Sequence, residues 1–393
     1  MMQVKKKKKR HHSLTGRITM DVLKKAFKAV RKNRGAAGID KVSILMFESN
    51  LEENLSSLMR KLKTDTYHPI PLRRKLIPKG DGRFRPLGIP AVKCRVAQEV
   101  IRRIINPIFD RLFHRSSHGY RQNKSCHTAL EELFEYYKQG YNVVLEADIR
   151  GFFDNISQKL IMAMVTSEIS DGKTLNTIKK FLQAGVMEDG KFVPTRKGTP
   201  QGGVISPLLS NIVLNHLDWT LDKHGYKFIR YADDFIVLTK SLHQAEEAFK
   251  LVQHCIEEDL GLQLSEEKTG ITTFNQGFEF LGFYISSRTV KMKPKAVKKF
   301  KDKIKSNTTR SHNLDRKVIV KLNQIIRGTV NYFYQSYTTN LKQFKRLDSW
   351  IRKRIRCMKF KRIWHTDNRR LKIKHIRRMG LLFCYDLCVA KEG

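Results

Sequence analysis

Apolar side chains recur at helical spacing over residues 19–35, where Val22, Leu23, Phe27 and Val30 share a face. The same period returns over 43–63 with Leu51, Leu55, Leu58 and Leu62, and a further helix is predicted over 93–113. Residues 75–78, the Gly80-Asp81-Gly82 triplet and residues 83–88 read as strand, tight turn and strand. Residues 141–149 are apolar and β-branched enough for a buried strand. Two short apolar strands, 227–231 and 235–239, flank Ala232-Asp233-Asp234. A helix over 243–259 and strands around 270–274 and 278–285 follow, and beyond 293 the pattern is almost wholly helical. Helices interleaved with hairpins predict an α+β fold for the middle of the chain.

Charge changes that picture. The 393 residues include Lys+Arg 77 against Asp+Glu 37, a formal net charge of +40. Self-repulsion of this size opposes compaction unless a polyanion is present, which points to nucleic acid or an anionic membrane surface. No run of eighteen apolar residues occurs and no apolar segment follows the charged N-terminus, so membrane insertion and secretion are not expected. With 40% hydrophobic residues the chain can bury a large core, and its length suits two or three domains. The six cysteines have no paired C-x-x-C spacing and read as free thiols in a reducing, cytoplasmic compartment. The excess charge is uneven: residues 291–380 hold 29 Lys/Arg and four acids, a net +25, and residues 1–10 hold six Lys/Arg and no acid. The Lys5 to Arg10 run is either a solubility tail or an RNA-contacting arm.

Three carboxylates occupy positions where a carboxylate is a poor structural choice. Asp148 ends an apolar strand, and Asp233 and Asp234 are adjacent anions in a tight connection between apolar strands. An isolated Asp-Asp pair is by default a polar hairpin turn. Repulsion and partial burial are both relieved by a divalent cation, and Mg²⁺ takes oxygen ligands from carboxylates and substrate phosphates. Two such ions about 3.5–4 Å apart stabilise the attacking and leaving oxygens of a phosphoryl displacement.

Asp148-Ile149-Arg150-Gly151-Phe152-Phe153-Asp154, then Gly198-Thr199-Pro200-Gln201-Gly202-Gly203-Val204-Ile205-Ser206-Pro207, then Tyr231-Ala232-Asp233-Asp234 occur in this order. Together they resemble the palm motifs of reverse transcriptases. The resemblance implies a right-hand polymerase in which Asp148, Asp233 and Asp234 hold two Mg²⁺ ions, with Mn²⁺ as a substitute. It places Gln201 and Gly202 beneath the incoming nucleotide and template. It also puts an aromatic of the Phe152/Phe153 pair against the sugar, where it excludes a ribose 2′-hydroxyl, while at least one of the two is expected in the core. Lys79 and Arg85 correspond to triphosphate-clamping cations of the fingers, or else to solvated surface. Lys268 matches a later motif whose lysine neutralises or protonates pyrophosphate. Phe280-Leu281-Gly282-Phe283 resembles the primer-gripping hairpin, although Phe280 and Phe283 suit a core equally well.

The wording is most similar to bacterial group II intron reverse transcriptases (maturases). Gly35-Ala36-Ala37-Gly38-Ile39-Asp40, Arg85-Pro86-Leu87-Gly88-Ile89-Pro90 and Ser116-Ser117-His118-Gly119-Tyr120-Arg121 resemble their N-terminal extension and fingers. Arg327-Gly328-Thr329-Val330-Asn331-Tyr332-Phe333 resembles their helical thumb, or maturase-specific domain. The expected organisation is a basic arm over 1–18, extension and fingers over 19–140, palm over 141–290, basic thumb over 291–380 and a tail over 381–393. The expected activity is RNA-directed DNA synthesis. The expected partners are a structured RNA such as a group II intron, an RNA template with DNA primer, dNTPs and target DNA. A relative that copies a dedicated noncoding RNA, and a splicing maturase with little polymerase activity, remain alternatives. Two departures stand out. Tyr120-Arg121-Gln122-Asn123-Lys124-Ser125 replaces the commoner Gly-Phe-Arg-Pro-Gly-Arg-Ser, and no Cys/His cluster follows the thumb, so an HNH-type endonuclease is not expected.

Overall fold

A computed structural model describes residues 10–78, 84–200, 202–362, 364 and 366–391. The chain divides into two compact units, Met1–Ile271 and Thr272–Gly393.

The first unit is built around the Val92–Asp110 helix, whose Val96, Val100, Ile101 and Ile105 are buried among the N-terminal helices. Met20–Lys32 begins where the Thr19 hydroxyl accepts from the Val22 N–H, and it buries Leu23, Ala26, Phe27 and Val30. The helix expected over 43–63 is two helices, Ile44–Ser49 and Leu51–Lys63. The chain leaves helical backbone at Asn50, and the Asn54 amide donates to the Phe47 carbonyl, 3.0 Å away, that the break exposes.

In chain order the strands of this unit are β1 (Leu72–Pro78), β2 (Phe84–Ile89), β3 (Val143–Asp148), β4 (Val186–Glu188), β5 (Lys191–Val193), β6 (Lys227–Tyr231) and β7 (Asp234–Thr239). One sheet has the order β2-β1-β4-β5. The second has the order β6-β7-β3, continued by Gly270–Thr273. Strand β7 is buried along all but its first residue, with the Leu242–His254 helix packed against it, and its sequence is an apolar run rather than an alternation. The helix expected over 243–259 is α-helical over Leu242–His254 and continues as a π-helical turn, Cys255–Asp259.

In the second unit, β8 (Phe278–Phe280), β9 (Phe283–Ile285) and β10 (Val290–Met292) form an antiparallel sheet. The apolar stretch 278–285 is thus two strands and a turn, the hairpin form that the resemblance over 280–283 implied. It turns at Leu281 (φ 47°) and Gly282 (φ 90°), two left-handed residues as a two-residue turn requires. Helices Pro294–Ser306, Arg316–Phe333 and Leu341–Phe360 pack Phe300, Ile304, Leu322, Ile326, Phe344 and Ile351 into a separate core. The basic residues of these helices therefore fall on the outer faces.

Candidate active site

Sheet register brings the carboxylates together. Asp148 at the end of β3 pairs directly with Asp234 at the start of β7, while Tyr231 at the end of β6 pairs with Asp234 from the other side. Ala232 and Asp233 make the turn, with Ala232 in the left-handed region at φ 62°. Asp233 is half-buried, and its carboxyl is pushed up by burial and by the negative charge of Asp148. Its own backbone N–H and the cations Arg85 and Lys268 oppose the rise. Lys268 Nζ lies 2.6 Å from Asp148 Oδ2. A cavity of about 840 Å³ opens against Asp148 and Lys268, walled by Arg150, Gly151 and residues 261–267.

The glycine-rich loop is held from several sides. Gly198 N–H donates to the Ile156 carbonyl and Thr199 N–H to that of Phe153, both at 2.8 Å. The buried Gln98 side-chain oxygen accepts from Val204 N–H at 2.7 Å. At Gly202 (φ 107°) a Cβ would collide with the Gly88 carbonyl of β2, so only glycine admits this approach. Gln201 and Lys79 lie outside the described residues. Phe152 is buried at 2% exposure in the main core, whereas Phe153 is half-buried and lines a cavity of about 180 Å³ with Arg74, Gly88, Thr199 and Pro200. The aromatic pair thus divides into a core residue and an open one.

Within the second unit, Phe280 and Phe283 are core residues, and the Phe283 ring stacks at 5.7 Å on Tyr332. The Tyr332 hydroxyl donates to the Leu281 carbonyl at 2.9 Å. Phe280 and Phe283 are thus turned into the core, and Leu281 and Gly282 at the turn stay half-buried. A groove of about 900 Å³ between Pro294–Ser306 and Arg316–Phe333 is lined by the exposed Lys295, Lys299 and Lys303 and by Gln324, Thr329 and Tyr332. Of the aromatics interleaved with the basic residues, Phe344 is core, Trp350 is partly covered by Lys301, and Trp364 is 63% exposed.

Residues 77–285 match the reverse transcriptase (RNA-dependent DNA polymerase) family, and residues 297–379 match the group II intron maturase-specific domain. The chain belongs to the reverse transcriptase family. It is 33% identical over 302 residues to protein YkfC of Escherichia coli (strain K12), across 66% of this chain and 79% of YkfC. It is 32% identical over 319 residues to the group II intron-encoded protein LtrA of Lactococcus lactis subsp. cremoris, across 63% of this chain and 53% of LtrA. The chain thus spans about half the length of LtrA. A solved partial Cas6-RT-Cas1–Cas2 complex aligns with TM-score 0.40 and 26% identity, across 63% of this chain and 43% of that one. Among the described residues no helix is long and apolar enough to cross a membrane.

Reverse transcriptases work with divalent metal ions. The donors here fit such ions: three carboxylates supply hard oxygen ligands only, and the rise at Asp233 is the strain a bound cation would remove. Sequence reading gave no role to several residues around these carboxylates. Tyr120 sits close enough for its phenol to be raised by burial and by Asp233 and lowered by Arg85, so the altered 120–125 wording borders the carboxylates. Tyr231 is pushed up to about 12 by burial and by its contact with Cys126. The other five cysteines are buried, and Cys126 alone is half-buried. Beneath the turn, Arg230 and Asp218 form a fully buried ion pair with N···O 2.6 Å. The sequence did carry one signal for this pair: Asp218 interrupts the apolar face of Leu214, Leu217 and Leu221.

Proposed function

We propose that this reverse transcriptase synthesises DNA on an RNA template at Asp148, Asp233 and Asp234, which hold two Mg²⁺ ions, with Mn²⁺ as a substitute. The observation that carries the reading is the register pairing of Asp148 with Asp234, beside a half-buried Asp233 whose carboxyl is raised by burial and by Asp148. When bound, the ions supply positive charge to the attacking and leaving oxygens of nucleotidyl transfer. Arg85, whose charge reaches Asp233, and Lys79 bind the triphosphate. Gln201 and Gly202 support the nucleotide and template, and the open ring of Phe153 covers the sugar. Lys268 balances Asp148 before reaction and steadies the departing pyrophosphate. Leu281 and Gly282 offer backbone groups to the primer.

The RNA we assign is a structured one of the group II intron class, gripped by the basic helices of the second unit. The reading is supported by the maturase-specific match over 297–379 and the net +25 over 291–380. Primer extension on an RNA template with Mg²⁺ tests the chemistry: the wild-type chain extends a DNA primer, and Asp233→Ala/Asp234→Ala does not. Equal extension by the two would sink the polymerase reading. Sequencing RNA that co-purifies with the chain tests the partner, and intron RNA enriched above bulk RNA is the expected result.

A further inference from the structure

Among the described residues Arg230 is the largest side chain to be wholly buried, and every one of its five N–H donors has an acceptor. Nε and Nη2 donate to the two Asp218 oxygens at 2.7 and 2.6 Å, and Nη2 also donates to Ser117 Oγ at 2.7 Å. Nη1 donates to Asn211 Oδ1 and to the Ala232 carbonyl, both at 2.9 Å. That last acceptor belongs to the turn that presents Asp233. Asn211 completes the cage by donating to the Gly119 carbonyl at 2.8 Å, and a Cβ on Gly119 would strike the Ala232 backbone. Three segments distant in sequence therefore converge on one residue in left-handed backbone, a conformation an alanine resists.

Stability alone does not explain this arrangement. A buried ion pair is commonly matched or bettered by apolar residues of similar volume. What an apolar pair cannot do is donate to the Ala232 carbonyl and hold the turn in one conformation. We propose that Arg230 and Asp218 are positioning residues: they fix the Ala232 turn and thereby set where the Asp233 carboxylate stands relative to Asp148 and Asp234. The proposal rests on the polymerase reading of those carboxylates but is separately testable.

The experiment compares four full-length proteins: wild type, Asp233→Ala/Asp234→Ala, Arg230→Met/Asp218→Leu, and the latter with Ala232→Gly added. Each is followed by thermal melting, by Mn²⁺ binding read from the electron paramagnetic resonance of free Mn²⁺, and by primer extension. The Met/Leu pair removes both charges together while roughly keeping volume, so no buried charge is left unpaired, and the orphaned Asn211, Ser117 and Ala232 acceptors lower the melting temperature without unfolding the protein. Its Mn²⁺ midpoint rises by about tenfold or more and its kcat falls by about 10²-fold, the scale of a displaced catalytic group, with dNTP KM changed little. Adding Ala232→Gly restores part of both, because glycine adopts the left-handed turn unaided. A folded Met/Leu variant with a wild-type Mn²⁺ midpoint and kcat overturns the proposal, as does a loss that Ala232→Gly leaves untouched. Should the Met/Leu pair not fold, Arg230→Lys decides: it keeps the charge but not the five-donor fork, and wild-type kcat and Mn²⁺ binding from it overturn the proposal. Failure of the polymerase reading looks different, since wild type would then extend no better than Asp233→Ala/Asp234→Ala.

Discussion

Glu132 ties the segment behind the Ala232-Asp233 turn to the pH of the solution. It accepts from Ser116 Oγ, is bonded to His118 Nε2 at 2.8 Å, and accepts from Tyr136 Oη at 2.9 Å. Burial pushes its carboxyl up, but these three partners more than offset that and bring it down from 4.5 to about 2. A difference of that size corresponds to about 3 kcal/mol of folding free energy at neutral pH. Because the folded value is the depressed one, this stabilisation is complete above about pH 4.5 and is lost as pH falls toward 2. Glu132→Gln keeps the shape, removes the titration and leaves amide N–H groups facing donors. Urea denaturation of both proteins at pH 7 and pH 3 reads the effect. The variant is expected to be less stable by about 3 kcal/mol at pH 7 and by under half that at pH 3. Differences that match at the two pH values would refute the argument. The same variant should lower polymerase activity at pH 7, since Ser117 and Gly119, which brace the turn, share the segment Glu132 anchors.

Other perturbations separate roles that the sequence leaves merged. Phe152→Ala should cost about 3–5 kcal/mol of stability as a core truncation. Phe153→Ala should cost far less while loosening dNTP-over-rNTP selection by about 10–200-fold in extension assays with each nucleotide class; unchanged selection would remove Phe153 from the sugar site. Lys268→Met removes an ion pair whose lysine is 63% exposed, so melting should barely move, whereas kcat should fall by about 10²-fold if it serves pyrophosphate departure. Replacing Lys295, Lys299 and Lys303 by Gln should flatten the log K against log salt slope for RNA by about 2, measured by filter binding; an unchanged slope would take their groove out of the interface. Asp348→Ala orphans the Cys384 and Tyr385 N–H groups that the buried carboxylate accepts at 2.7 and 2.8 Å, and should weaken the second unit by about 1–3 kcal/mol in a urea melt.

The meeting of the three carboxylates was legible because they lie in short, contiguous motifs. Asp148 and Asp233-Asp234 sit at strand ends, and apolar strands on either side almost compel a sheet that juxtaposes them. The supporting structure was not legible because it is non-local. Nothing near Arg230 in the chain indicates that Ser117, Asn211 and Asp218 will all meet its guanidinium, and Gln98 reaches across 106 residues to hold Val204. Local errors have local causes. Periodicity runs straight through Asn50, where the helix breaks, and the apolar pattern over 278–285 shows no turn, which only the motif resemblance over 280–283 marks. Helical spacing also fails to separate core from surface aromatics in the basic region, since Phe344 and Trp364 both fit the pattern and only Trp364 is open.

The distribution of cysteines has a practical consequence. With Cys94, Cys255, Cys357, Cys384 and Cys388 buried, a thiol-reactive dye added to the native protein reacts first at Cys126, the first residue of the Cys126–Lys138 helix. That sulfur neighbours the Tyr231 hydroxyl, one residue before the turn. The unaltered chain thus carries a built-in attachment point for a fluorophore, from which changes at the Ala232-Asp233 turn can be followed without removing any other thiol.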